Sequence, residues 1–298
     1  MNSVFNLYCK SFRNDVLRAR ELLRSIERYN CDAIPFFIST PKDDRDIFKN
    51  QLGTTGYEWV ADEEIAVLNA SENLQRLKVL PGNISQQIIK SEFWRLNTCN
   101  SYLCLDSDSV FIKEFYRKNF FNSNNDLYTV AHESIEFFEE VKSEGQHHIY
   151  QNFKVESERI KSFFERDGKD YDFGPSPYIW SSKVWSWLSD YLLSTRGITL
   201  WDVISAYGTE DRWYGEALIK SKVIKFIPIN QLFKVYHYKW QYINDTKKGI
   251  IENDLVKNYL GKIIQSNWDT KLNSSYVKKK PISRAFKSIK YFFSNKKI

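Results

Sequence analysis

Residues 101–112 read "SYLCLDSDSVFI": an apolar run leads straight into two carboxylates, Asp106 and Asp108, with Ser107 and Ser109 interleaved. Concentrating negative charge at the end of a buried strand costs free energy unless something positive, or solvent, meets it. A divalent metal and a basic partner are the two cations that fit.

The flanking sequence gives this strand a setting. "VFNLYCKS" (4–11) is a short, half-apolar strand. Residues 15–29, "DVLRARELLRSIERY", place Val16, Leu17, Leu22, Leu23 and Ile26 at helical spacing among charges. "IPFFIST" (34–40) is a second strand, stopped by Pro41. A β-α-β opening implies a right-handed crossover and a largely parallel sheet. "YEWVADEEI" (57–65) reads as a further strand followed by an acidic loop, and "SQQIIKSEFWRLN" (85–97) as a helix burying Ile89, Phe93 and Leu96. The carboxylates thus fall at the C-terminal end of a parallel strand, where open α/β sheets bind ligands.

Further along, "LYTVAH" (127–132) is predicted as a strand and 133–170 as mostly helical. "DFGPSPYIWSS" (172–182) is Pro/Gly-broken loop chemistry that leads into a Trp-rich region. "KVIKFIPI" (222–229) and "FKVYHYKW" (233–240) read as late strands. No internal repeat or linker divides the chain.

The 298 residues, 42% hydrophobic and 27% charged, suit one large soluble α/β domain. No apolar run reaches the roughly 18–20 residues that span a membrane. The first residues lack the basic start and apolar stretch of a signal peptide, which predicts a cytoplasmic protein. Cys9, Cys31, Cys99 and Cys104 are scattered and read as reduced thiols. The net charge of +6 belongs to the end of the chain: residues 277–298 hold eight Lys/Arg and no acid, and the rest has a net of −2. In 282–293 Ile282, Ala285, Phe286, Ile289, Phe292 and Phe293 fall at helical intervals among basic residues. That pattern predicts a basic amphipathic helix on an anionic membrane surface. Nucleic acid is excluded as a partner because the body offers no basic face. The predicted division is 1–276 for the domain and 277–298 for the tail.

An Asp-x-Asp at a strand end can hold Mg²⁺ or Mn²⁺ through hard oxygen ligands and leave positions for phosphate oxygens. Two enzyme classes carry this pattern. "YLCLDSDSV" is similar to the nucleophile motif of haloacid-dehalogenase-like phosphatases, which would make Asp106 the nucleophile. That chemistry needs a second acidic pair at a later strand end, and no later apolar strand ends in one.

The β-α-β opening, the helix "QQIIKSEFWRLN" and the motif a third of the way along resemble the GT-A-fold nucleotide-sugar glycosyltransferases over residues 4–240. The closer likeness is to bacterial members that assemble surface polysaccharide or lipopolysaccharide. The resemblance implies a Rossmann-like, mixed but mostly parallel sheet flanked by helices, and a UDP-sugar donor. Asp108 would bind the metal on the donor's diphosphate. Asp106 would contact the ribose, or the metal through water. Lys10 and the "PKDD" turn with Asp43 and Asp44 would border the nucleotide, while Gln86, Gln87 and Lys90 would face the donor.

Inverting members need a carboxylate to deprotonate the acceptor. "GTEDRWYGEAL" (208–218) reads as a helix start rich in acid. The family's pattern of an acid followed by Tyr-Gly selects Glu210 as the base, with Asp211 the alternative. In a retaining enzyme Glu210 would position the acceptor. His237 is the predicted third metal ligand, and His132, His147 and His148 are weaker candidates. Tyr178 and Trp180, beside the Pro/Gly loop, are the predicted acceptor platform.

The sequence therefore predicts a metal-dependent hexosyltransferase acting on a lipid-linked glycan at the inner face of the cytoplasmic membrane. Two alternatives remain: the phosphatase, and a non-catalytic sugar-binding protein on a degenerate transferase fold.

Overall fold

The computed structural model describes residues 3–269 and 271–272. Its strands are β1 (Ser3–Lys10), β2 (Phe36–Thr40), β3 (Glu58–Ala61), β4 (Cys99–Leu105), β5 (Ser109–Phe111), β6 (Thr129–Val130), β7 (Tyr178–Ser181), β8 (Pro228–Ile229), β9 (Phe233–Tyr236) and β10 (Gly261–Ile264). The central sheet has the order β3-β2-β1-β4-β7, with β7 alone antiparallel. A smaller sheet, β5-β10-β9, and the pair β6-β8 complete the set among the described residues. The result is the predicted mixed α/β architecture, with a mostly parallel sheet flanked by helices. The predicted tail, 277–298, lies outside the described residues.

The near-continuous apolar runs of β1 and β4 reflect burial on both faces. Side chains alternate between two cores. Tyr8, Tyr102, Cys104 and Trp180 enter the core under the helices Gly82–Glu92, Ser182–Arg196, Leu200–Tyr207 and Glu210–Ser221. Leu7, Cys9, Leu103, Leu105 and Ile179 face the other core, closed by the Val16–Tyr29 helix. That helix buries Val16, Ala19, Leu22, Leu23 and Ile26, most of its predicted apolar stripe.

Strand order places the site. The chain runs outward through β1, β2 and β3, then returns to lay β4 on the other side of β1. The reversal between β1 and β4 is the topological switch point, where the crevice beyond the strand ends receives ligands. Lys10 ends β1, and Asp106 follows β4.

Several local readings need correction. Residues 62–66 form a short helix, not an acidic loop. Of 222–229, only Pro228 and Ile229 form a strand, and of 127–132 only Thr129 and Val130. The Pro/Gly segment gives way to β7 at Tyr178, because those residues complete the edge of β4 with Tyr102 opposite Trp180. Trp180 is consequently not an acceptor platform: it is 2% exposed, packed edge-on against Tyr102 and Trp185.

Trp180→Ala is expected to cost about 3–5 kcal/mol, the range for emptying an aromatic site in a core. Urea denaturation checks this; a cost below about 1 kcal/mol, as for a surface change, would return Trp180 to the ligand side.

Candidate functional site

Three segments converge on one lysine. Lys90 lies on the buried face of the Gly82–Glu92 helix, next to the core residues Ile88 and Ile89. A buried lysine persists only when paired. Its Nζ lies 2.5 Å from Asp106 Oδ1 and 3.5 Å from Glu210 Oε1. The ammonium also sits over the Tyr178 ring, 5.7 Å from its centroid. Burial opposes its charge, but Asp106 and Glu210 outweigh burial and push the ammonium well above its ordinary value.

The Asp-x-Asp motif is a tight turn between two sheets. Ser109 N donates to Asp106 O at 3.0 Å, and Ser109 then pairs with Ile263 as β5 joins β10. Asp108 Oδ2 accepts the Ser266 N–H at 3.0 Å, just beyond β10. Burial, reinforced by the Asp106 charge, raises the Asp108 carboxyl to about 7. Two carboxylates crowded on one turn are an electrostatic cost that a bound cation would relieve.

The Glu210–Ser221 helix contributes the second acidic pair. Glu210 is 4% exposed and faces Lys90; burial lifts its carboxyl to about 7 against the pull of Lys90. Asp211 lines a cavity of about 390 Å³ together with Asp106, Asp172, Tyr178 and His237. Burial, with Asp172 nearby and Arg212 opposing, lifts Asp211 to about 6. The sequence preferred Glu210 as base, yet the cavity is lined by Asp211, while Glu210 anchors Lys90. The Tyr-Gly that follows has a structural reason. Tyr214 OH accepts the Ser181 N–H of β7 at 2.7 Å, and a Cβ on Gly215 would lie 2.2 Å from the Phe173 ring. The glycine lets the 172–178 loop lie directly on the helix, which brings Asp172 toward Asp211.

Asp172 is itself fastened. Its carboxylate accepts from Ser134 Oγ at 2.6 Å and from Gly174 N at 3.1 Å. His132 serves the same loop: Nε2 donates to Gly174 O at 2.8 Å, and Nδ1 accepts from Ser134 N at 3.2 Å. Both ring nitrogens are used, so His132 is a fastener. Ser176 also lines the cavity; it is 5% exposed and its Oγ has no partner. No sequence signal marked it.

His237 lines the same cavity, with Gln265 Nε2 donating to its Nδ1 at 3.2 Å. Burial lowers its pKa, which keeps the imidazole neutral. Among the described residues no three His, Cys, Asp or Glu side chains converge to hold a metal. The predicted set Asp106, Asp108 and His237 is therefore not assembled as a metal cage. What the turn offers is two hard-oxygen carboxylates, of which Asp106 lines the cavity.

The predicted nucleotide edge differs more. Lys10 is buried against Asp62 (2.8 Å) and the Ser11 carbonyl (2.6 Å), tying β1 to the residue that follows β3. Asp44 is 2% exposed and takes the Arg13 backbone N–H and Nε, each at 2.7 Å. Both side chains are scaffold, and Lys42 and Asp43 are the exposed residues of that turn. Asp44 thereby holds Arg13 in the first turn after β1, a contact that no sequence signal marked. Gln87 Oε1 is buried without a partner, beside Gly208.

The chain belongs to a family of unknown function, DUF6492, matched over residues 4–278. No curated protein matches the chain.

Lys90→Met would leave the buried Glu210 carboxylate without its cation and facing the half-buried Asp106, and should cost about 3–5 kcal/mol at pH 8. Glu210 titrates near 7 in the fold and near 4.5 when unfolded, so between these values the native state holds the extra proton. Wild-type stability therefore falls as pH rises across this window. For the same reason the Lys90→Met deficit should shrink toward pH 5, as Glu210 protonates. Denaturation curves at both pH values check this, and an equal deficit at each would remove the charge cluster as its cause.

Proposed function

We propose that this protein is a GT-A-type glycosyltransferase that moves a hexose from a nucleoside-diphosphate donor, UDP-sugar by preference, to a glycan acceptor. The observation that carries the reading is one cavity beyond the C-terminal end of β4. It collects Asp106 of the Asp-x-Asp turn, with Lys90 behind it, Tyr178 on one wall and Asp211 on another. The phosphatase alternative needs its second acidic pair at a later strand end, whereas Glu210 and Asp211 open a helix, where a transferase can use an acid partner for its acceptor.

Each residue has a task. Asp106 and Asp108 would hold Mn²⁺ or Mg²⁺, which supplies charge neutralisation for the departing diphosphate. Lys90, rigid and fully charged, orients Asp106 through their ion pair and sets the electrostatic potential at the cavity floor. Asp211, with its raised pKa, accepts the proton from the acceptor hydroxyl. The acceptor oxygen then bonds to the anomeric carbon as that carbon's bond to the diphosphate breaks. The products are a glycoside and a nucleoside diphosphate. Ser176 Oγ and Tyr178 offer contacts to sugar hydroxyls and ring faces. Arg13, paired with Asp44 but with its side chain 43% exposed against 8% for Lys10, would take the place of Lys10 as the basic residue on the nucleotide side.

Among the described residues no helix is long and apolar enough to cross a membrane. Attachment at the inner membrane surface therefore rests on the basic sequence of 277–298, and suits a lipid-linked acceptor.

Because two protein carboxylates are too few to hold a metal tightly alone, Mn²⁺ by itself should leave the melting temperature unchanged. Mn²⁺ together with UDP should raise it by several degrees, as RT ln(1 + [L]/Kd) requires for ligand well above its Kd. Asp108→Ala should remove the rise. A thermal-shift series with UDP, GDP, CMP and dTDP is the check; no shift with any nucleotide overturns the transferase reading.

A further inference from the structure

Beside the site cavity lies a second one of about 480 Å³, between the helices Ile135–Ser143 and His147–Phe163. The two cavities share Phe138 and Phe153 as walls. Phe138 packs against Phe153 and against Tyr150, with ring centroids 4.8 and 4.9 Å apart. These rings are not sealed into a core: Phe138 and Phe153 are half-buried and Tyr150 is 41% exposed. Leaving several aromatic faces open to water forfeits about 25 cal/mol for every Å². A clustered apolar patch of this kind marks an interaction site.

The lining indicates the occupant. Around the rings stand Glu133, Glu139, Asp170, Lys142 and Lys154, a rim of both charge signs. Several of these charges are held in place, Lys154 by Asp170 at 3.2 Å and Lys169 outside the cavity by Glu133 at 2.6 Å. A lipid chain needs an apolar sleeve without such a rim. A polyanion needs a rim of one sign. A carbohydrate satisfies both parts of this lining, setting its C–H faces on the rings and its hydroxyls on the charged groups.

We propose that this second cavity binds the acceptor, an uncharged oligosaccharide. Its terminal sugar passes the Phe138–Phe153 wall to present a hydroxyl to Asp211. The proposal rests on the transferase reading and adds the acceptor's chemical class and its place. It also explains the helical segment 135–163, which contributes nothing to the central sheet but walls both cavities.

The test uses the full chain on an array of immobilised neutral, acidic and lipid-linked glycans, with wild type and Tyr150→Ala side by side. The Mn²⁺–UDP melting shift of each preparation serves as the folding and donor-site control. Tyr150 is largely at the surface, so its replacement leaves the fold intact. The expected result is wild-type binding to neutral oligosaccharides that drops about tenfold in Tyr150→Ala, with the nucleotide shift retained in both. Equal binding by the two proteins overturns the proposal. So does retention only on acidic glycans or only through the lipid moiety. Absence of glycan binding with the nucleotide shift intact overturns the second cavity and leaves the transferase reading standing. Absence of the nucleotide shift as well removes both.

Discussion

One buried ammonium holds the site together. Lys90 comes from the helix before β4, Asp106 from the turn after β4, and Glu210 from a helix more than a hundred residues later. Without the lysine, the turn and the later helix would bring like charges together in a low-dielectric interior, at a cost of several kcal/mol. With it, their approach is favourable. The same pairing sets the electrostatic character of the cavity: Glu210 is committed to Lys90, and Asp211, one residue on, is left to face the ligand space. A helix presents consecutive residues about 100° apart, so a single helix start turns one acid to Lys90 and the next to the cavity.

The large features were legible in the sequence for a simple reason. Buried parallel strands must be apolar on both faces, and amphipathic helices must repeat every 3.6 residues. β1, β2, β4 and the Val16–Tyr29 helix obey those rules and appear where predicted. What stayed hidden depends on pairing across the fold. β7 is four residues long and follows a Pro/Gly loop; only its partner β4 makes it a strand. Its Trp180 shows the same limit, because an aromatic beside a loop reads alike whether it stacks on a sugar or on Tyr102 and Trp185. Conversely, the apolar "KVIKFIPI" carried strand composition without the neighbours to pair most of it.

The candidate site shows a similar division. Asp106, Lys90, Asp211, Tyr178 and His237 were singled out from the sequence, and the structure gathers them at one crevice. The misassigned residues are those whose partners lie elsewhere in the chain. Lys10 answers to Asp62, and Asp44 to Arg13, 31 residues away. Neither ion pair has a local signature. Ser176 gained its interest only from burial without a partner, which no sequence pattern encodes.

The account stands or falls on whether a nucleotide-sugar is consumed here. The most direct measurement is release of nucleoside diphosphate from a panel of nucleotide-sugars with Mn²⁺ present, comparing wild type with Asp211→Asn. The account predicts turnover of one donor class, reduced about 10²–10⁴-fold in the variant, the usual contribution of a general base. No release from any donor, together with Asp106-dependent hydrolysis of p-nitrophenyl phosphate, would contradict it and make this crevice a phosphatase site.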